Sequence, residues 1–116
     1  MADASRVKVN NFVKTDKSSL DKTHSGSGSE TYSIDCTGHY TGMVIFDVPA
    51  GYGSGSFSIV EYPYEGAPLS HETTSSSTYS LVAGSQTAVR MNIINGAYIE
   101  IHLTADAAVH VVAVTH

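Results

Sequence analysis

The sequence contains no tryptophan and only one cysteine, Cys36. A single thiol cannot form a disulfide within the chain, so the cysteine content excludes a disulfide-stapled scaffold. Cys36 is in phase with Tyr32 and Ile34 in TYSIDCT, and we expect a buried structural thiol rather than a nucleophile. No apolar run approaches membrane-spanning length, and the N-terminus lacks the basic-then-apolar pattern of a signal peptide. We therefore expect a protein made soluble in a cytoplasm.

Charged residues are also scarce, at 15% of the 116 residues, and they are unevenly distributed. Five of the six basic residues lie in residues 1–30, whereas residues 31–116 carry only Arg90 against seven acids. Phosphate binding needs clustered cations, so the acidic body argues against a nucleic-acid partner. Serine, threonine and glycine are abundant instead, which favours short strands and many turns over helices.

Residues 1–30 are predicted to form an N-terminal arm followed by a Gly/Ser tether. The arm has an apolar tip formed by Val7, Val9, Phe12 and Val13. The segment from Lys14 to Glu30 is polar and contains SGSGS, which is typical of a flexible connection. A frayed terminus with one edge strand is an equally good interpretation of the same residues.

Residues 31–116 are predicted to form one domain built from short strands separated by turn signals. Strands are expected at Thr31–Thr37, Met43–Val48, Phe57–Tyr62 and Tyr79–Ala83, with a long irregular segment at Tyr64–Ser77. With the C-terminal strands, the total is about seven, or eight with an N-terminal strand. This pattern predicts an all-β fold, a single antiparallel β-sandwich or jelly-roll-like domain.

The clearest pattern lies in residues 87–116, where three alternating apolar runs are separated by NGA and ADA. It predicts a three-stranded antiparallel meander. Three-residue turns pair Ile93 with Ile99 and Leu103 with Val109, and they keep the aliphatic residues on one face. The other face then has an apolar end, which we predict to be a subunit interface. That end comprises Ile94, Tyr98, Val112 and Val114.

The same register places His102 across from His110, with Glu100 nearby. Two histidines and a carboxylate could hold a metal, but no HxH, HxxxH or CxxC spacing supplies a third ligand. We favour a surface or interface pair, which could sense pH.

No pattern of catalytic chemistry is found. No GxSxG elbow is present, and GYGSGS lacks the lysine and the helix of a phosphate-binding loop. Glu61 and Glu65 are expected to be solvated loop acids rather than paired catalytic carboxylates. We therefore expect no catalytic residue, no metal and no cofactor, and a protein that is not an enzyme.

Tyr62 and Tyr64, in EYPYEG, could form an aromatic platform for a sugar ring. Carbohydrate-binding β-sandwiches use this device, but they commonly use tryptophan, which is absent here. Tyrosines that pack at a sheet edge are the preferred interpretation, and a carbohydrate-binding module is the alternative function.

From Gly42 onward, the order of motifs resembles the small β-sandwich head-decoration proteins of tailed bacteriophages. The motifs are the apolar strand MVIFDV, a Gly-rich hairpin, the element LVAGSQT, the run NGAYIEIHL and the C-terminal TADAAVHVVAV. The long segment at Tyr64–Ser77 and the histidines depart from the family's pattern.

The resemblance implies a structural virion protein without an active site. Such a protein decorates and stabilises the outer surface of a capsid in many copies. The implied partners are the major capsid protein and further copies of the chain, with a trimer favoured. The apolar tip at Val7, Val9, Phe12 and Val13 would contact the capsid by adding a strand. A tail or fibre accessory domain is a further option of the same structural class.

Overall fold

A computed structural model of the chain describes residues 18–51, 54–73, 78–94 and 97–116. Within these ranges the structure is all-β. The strands are β1 (Ser18–Thr23), β2 (Ser29–Asp35), β3 (Thr41–Asp47), β4 (Gly55–Tyr62), β5 (His71–Glu72), β6 (Tyr79–Ser80), β7 (Gln86–Asn92), β8 (Tyr98–Ala105) and β9 (His110–Thr115). No helix among the described residues is long and apolar enough to cross a membrane.

The strands form two antiparallel sheets packed face to face. Sheet A has the order β1-β9-β3-β7, and sheet B has the order β2-β8-β4-β5, with β6 paired to β4. The chain therefore passes from one sheet to the other several times along its length. This arrangement is a jelly-roll sandwich, and it confirms the predicted fold class.

The core lies between the inward faces of the two sheets. Phe46 of β3 stacks on Phe57 of β4 with ring centroids 4.2 Å apart, which joins sheet A to sheet B at the centre. Phe57 also stacks on Tyr79 at 5.3 Å. Aromatic contacts of this kind add to the hydrophobic free energy that comes from burial of the aliphatic residues around them.

The predicted meander is wrong, although most of its faces are right. Strand β8 belongs to sheet B, whereas β7 and β9 belong to sheet A, so no two of the three strands pair with each other. Alternation at a period of two shows which side chains of a strand are buried. It does not show to which sheet the strand belongs, because both sheets of a sandwich bury their inward side chains in the same core. Met91, Ile101 and Val111 accordingly face inwards as predicted, and each has at most 2% of its surface exposed.

Residues 18–30 are not a flexible tether. Strand β1 pairs with β9 along its whole length, and Leu20 packs against the core. The serine-glycine run is a tight connection between β1 and β2, in which Gly26 and Gly28 have φ values of 100° and 78°. Glycine adopts this conformation without the penalty that other residues incur. The body of the protein thus begins by Ser18, and the predicted arm tip lies outside the described residues.

Candidate binding surfaces

The outer face of sheet A has an apolar centre. On the two central strands, Val112 lies beside Ile45 and Val114 beside Met43. All four side chains are only partly buried in the monomer. They line a shallow depression of about 380 Å³ that extends toward Arg90 on β7. Four neighbouring aliphatic side chains on an open face form a patch that water solvates poorly.

Polar residues surround this centre. On the β1 side, the Asp21 carboxylate lies 2.6 Å from the His110 ring, between Oδ1 and Nε2. On the β7 side, Arg90 lies opposite Met43 in the register. Within the described ranges, the Arg90 guanidinium forms no hydrogen bond or ion pair. The face therefore has a carboxylate at one edge and a cation at the other.

The outer face of sheet B is polar instead. Ser29 and Thr104 share a hydrogen bond of 2.7 Å across β2 and β8. His102 lies 3.1 Å from Glu100, between Nε2 and Oε1, and 3.3 Å from the Thr31 hydroxyl. These side chains bond to one another along the sheet surface. The two outer faces of the sandwich thus have different chemistry.

The predicted pairing of His102 with His110 does not occur. His102 lies on β8 in sheet B and His110 on β9 in sheet A, so each histidine faces away from the other sheet. Each has its own carboxylate neighbour, Glu100 or Asp21. No group of three metal-ligating side chains is found among the described residues.

The four residues of the predicted subunit interface do not share one face. Val112 and Val114 lie on the outer face of sheet A. Tyr98 starts β8 in sheet B, and Ile94 follows β7 in a loop with 66% of its surface exposed. The prediction depended on β8 lying between β7 and β9. Met43 and Ile45 on β3 take the place of Ile94 and Tyr98 in the apolar patch.

Tyr64 lines a cleft whose lining residues do not include Tyr62. Tyr62 is the last residue of β4 and pairs with Tyr98 in the sheet. Tyr64 is 59% exposed and lines a small cleft of about 190 Å³ together with Tyr98 and Asp35. Asp35 accepts hydrogen bonds from its own turn, at 3.0 Å from the Thr37 N–H and 2.7 Å from the Thr37 hydroxyl. These bonds lower the pKa of Asp35, so the cleft holds an ionised carboxylate.

Glu61 was expected to be a solvated loop acid, and this expectation is wrong. Its side chain is fully buried on β4, in phase with Phe57 and Ile59. One carboxylate oxygen accepts a hydrogen bond of 3.1 Å from the Ile94 N–H. Glu65, by contrast, is exposed. The buried carboxylate holds the loop after β7 against the end of the core.

Cys36 is buried, as predicted, with no exposed surface. Burial, together with the nearby charges of Glu61 and Asp35, raises the pKa of its thiol to about 11. The thiol is therefore protonated at neutral pH and is a poor nucleophile.

Two further histidines are buried, and sequence reasoning did not identify either as a structural residue. His24 is 1% exposed and bridges the turn between β1 and β2. Its Nδ1 accepts from the Gly26 N–H at 2.9 Å, so its Nε2 donates to the Gly28 carbonyl at 3.0 Å. His39 is 8% exposed and bonds the Thr115 hydroxyl at 2.6 Å. The only sequence signal was the position of His24 directly before SGSGS.

No protein-family model matches the chain, and no curated protein matches it. Among solved structures, the chain is similar to a protein of the Bacillus endospore appendages, described as a novel family of disulfide-linked pili. The TM-score is 0.52 at 13% identity, over 87% of this chain and 84% of that one. The similarity shows a shared β-sandwich fold.

Weaker similarities involve a carbohydrate-binding module and a viral particle. The first is the module CBM6cm-2 of Cellvibrio mixtus lichenase 5A, at a TM-score of 0.46 and 14% identity over 84% of this chain and 86% of that one. The second is a chain of the T13 IBDV viral particle, at a TM-score of 0.46 and 12% identity over 87% of this chain and 29% of that one. These likenesses identify no family.

Proposed function

We propose that this protein is a structural virion component that decorates and stabilises the outer surface of a phage capsid. The observation that carries the proposal is the apolar centre of the sheet A outer face, at Met43, Ile45, Val112 and Val114. A stable sandwich gains nothing from keeping such a patch in water, whereas an assembly protein uses it to associate. The proposed partners are further copies of the chain and the major capsid protein.

The N-terminal residues supply the second part of the proposal. Residues 1–17 precede β1, which is an edge strand of sheet A. They combine the apolar residues Val7, Val9, Phe12 and Val13 with four of the six basic residues of the chain. The apolar residues of such a segment could add a strand to an exposed sheet edge of another protein, and its cations could pair with acidic groups there. We assign the capsid contact to this arm.

Binding to purified capsids tests the arm. Truncation must end before Ser18, because β1 completes sheet A. We expect the body from residue 18 onward to fold as the full chain does, by circular dichroism, and to lose binding to expanded capsids in co-sedimentation. A full-length variant with Val7, Val9, Phe12 and Val13 replaced by serine keeps the chain length and should lose binding too. Undiminished binding by both variants would remove the arm from the proposal, and binding to tails alone would favour the tail or fibre role.

A carbohydrate-binding module is the second candidate, and the cleft beside Tyr64 favours it. An exposed tyrosine next to an ionised carboxylate offers a ring face for stacking and acceptors for sugar hydroxyls. The test is a glycan array, followed by calorimetry with any hit. Tyr64→Ala should abolish binding, while Tyr40→Ala, a change at another exposed tyrosine outside the cleft, should not. An array without hits for the intact protein excludes this candidate.

A further inference from the structure

We propose that two copies of the chain associate through the outer faces of sheet A, about a two-fold axis parallel to the strands and midway between β9 and β3. This inference shares one element with the proposed assembly role, since both depend on the outer face of sheet A. It concerns the protein in the absence of capsids, so its failure and the failure of capsid binding are separate results.

The axis follows from the way the central strands match each other. Rotation about it places β9 of one copy over β3 of the second copy. Because Val112 is the in-sheet neighbour of Ile45 and Val114 that of Met43, each valine then packs on the corresponding β3 residue of the second copy. The apolar centre is covered by itself, which is the self-complementarity that a two-fold interface requires.

The charges at the edges of the face match under the same rotation. Strand β1 of one copy lies over β7 of the second, so Arg90 of the second copy comes over Ser19, about 7 Å along the strand from Asp21. Directly opposite Asp21 is Ala88 of the second copy, whose small side chain leaves room for a guanidinium. The Asp21 carboxylate is 75% exposed in the monomer, so it is accessible to such a contact. The symmetry forms this ion pair twice.

A third match lies between the two. His110 and Asp47 are neighbours within sheet A. The rotation places His110 of one copy over Asp47 of the second copy, and Asp47 of the first copy over His110 of the second. A two-fold axis in another direction loses these matches. An axis perpendicular to the strands, for example, places β7 of one copy over β7 of the second copy. Arg90 then faces β7 of the second copy and not the strand β1 that carries Asp21. The charge distribution therefore favours one orientation of one occupant, a second copy of this chain.

The size of the face sets the expected strength. Four strands about 4.8 Å apart and six to seven residues long cover roughly 400 Å² in projection on each copy. The two copies together then cover about 800 Å², which is below the roughly 1,200–2,000 Å² that stable specific interfaces bury in total. We expect a reversible dimer that forms with rising concentration. Association in many copies on a larger assembly would strengthen it by avidity.

Sedimentation velocity of the full-length protein over a range of concentrations tests the proposal, with charge reversals at the predicted pair. Arg90→Glu and Asp21→Arg should each raise the dimer Kd by about tenfold, because each sets like charges against one another. The double reversal restores opposite charges and should recover most of the affinity. Glu72→Lys, which reverses a charge on the outer face of sheet B, is the control and should leave the Kd unchanged.

Three results would overturn the proposal. They are a monomer at all concentrations, a trimer, and a dimer whose Kd is unaffected by the two single reversals. A monomer that becomes a dimer only when residues 1–17 are removed would instead identify the chain's own N-terminal segment as the occupant of the face. Because the exchanged side chains are solvent-exposed, circular dichroism should show that all four variants fold.

Discussion

The Glu61 carboxylate, fully buried on β4, accepts a hydrogen bond from the Ile94 N–H at 3.1 Å. The bond joins sheet B to the loop that follows β7 of sheet A. A buried carboxylate is costly to desolvate, so it is tolerated only where polar groups compensate it. It is therefore a structural residue of the core, although its type suggests the surface.

We predict that Glu61→Ala destabilises the protein by about 2–4 kcal/mol, because it opens a cavity and leaves the Ile94 N–H without its acceptor. Glu61→Gln keeps an acceptor oxygen and should cost less. Urea unfolding followed by tyrosine fluorescence measures both changes. Glu65→Ala, an exposed glutamate in the following turn, is the matched control and should shift the free energy of unfolding by less than about 0.5 kcal/mol. Equal effects at the two positions would contradict the structural role of Glu61.

A second prediction concerns acid stability and depends on Glu30. Hydrogen bonds from Ser25 and from the Tyr32 hydroxyl, which lies 2.6 Å away, lower the pKa of Glu30 from 4.5 to about 2. A depressed carboxyl pKa contributes stability that is fully present above the unfolded value and is lost as the pH falls toward the folded value. The contribution of Glu30 should therefore disappear between about pH 4.5 and pH 2.

The test is the denaturation midpoint between pH 7 and pH 2. Glu30→Gln should be less stable than the parent at pH 7, and the difference should shrink as the pH falls through this window. Tyr32→Phe removes the hydrogen bond from the Tyr32 hydroxyl and leaves those from Ser25. It should therefore lower the stability at pH 7 by less than Glu30→Gln does. A constant difference between parent and Glu30→Gln across the range would show that the pKa of Glu30 is not depressed.

The sequence predicted the faces of the strands well but not their partners. The alternation in residues 109–113 correctly indicated that Val111 is buried and Val112 is not, because the period of two is a local property of a strand. The sheet to which a strand belongs depends on how the connections cross the core, and residues 105–110 carry no local signal of that crossing. The apolar outer face was therefore found only in part, since Met43 and Ile45 come from a run that is apolar on both sides.

The buried polar residues were missed for a different reason. Glu61 continues the inward alternation of Phe57 and Ile59. It was nevertheless predicted to be solvated, because a charged side chain usually lies at the surface. His24 is buried because the backbone groups of a glycine turn satisfy both ring nitrogens, and that geometry forms only when β1 and β2 are in place. Glu61 is compensated by the backbone N–H of Ile94, which lies 33 residues later in the chain, and no local pattern in the sequence indicates such a partner.

A third prediction concerns the reactivity of Cys36. Its thiol is fully buried and burial raises its pKa to about 11, so DTNB at pH 8 should leave the native protein unmodified and react at once in denaturant. The control moves the thiol by one residue, with Cys36→Ser combined with Thr37→Cys, since Thr37 is exposed. That variant should react rapidly in the native state. Rapid reaction of the native parent would mean that the β2 end of the core opens readily.

The last prediction compares two adjacent valines of β9. Val111 is fully buried beside Phe46 of β3, whereas Val112 is partly exposed on the outer face beside Ile45. Val111→Asp places an unpaired charge in the core and should cost about 5 kcal/mol or more, which is comparable with the whole stability of a marginal domain, so the variant should not fold.

Val112→Asp keeps the charge on the solvent-facing side of the sheet in the monomer, so the variant should fold, with a thermal midpoint that is modestly lower because Asp21 lies directly opposite. In the proposed dimer the charge would be buried against the second copy's Ile45, and the Kd should rise about a hundredfold. Circular dichroism and sedimentation velocity measure the two effects separately. A folded Val111→Asp variant or an unfolded Val112→Asp variant would reverse the assigned faces of β9. A folded Val112→Asp variant with unchanged self-association would leave the fold intact and remove the outer face of sheet A from the interface.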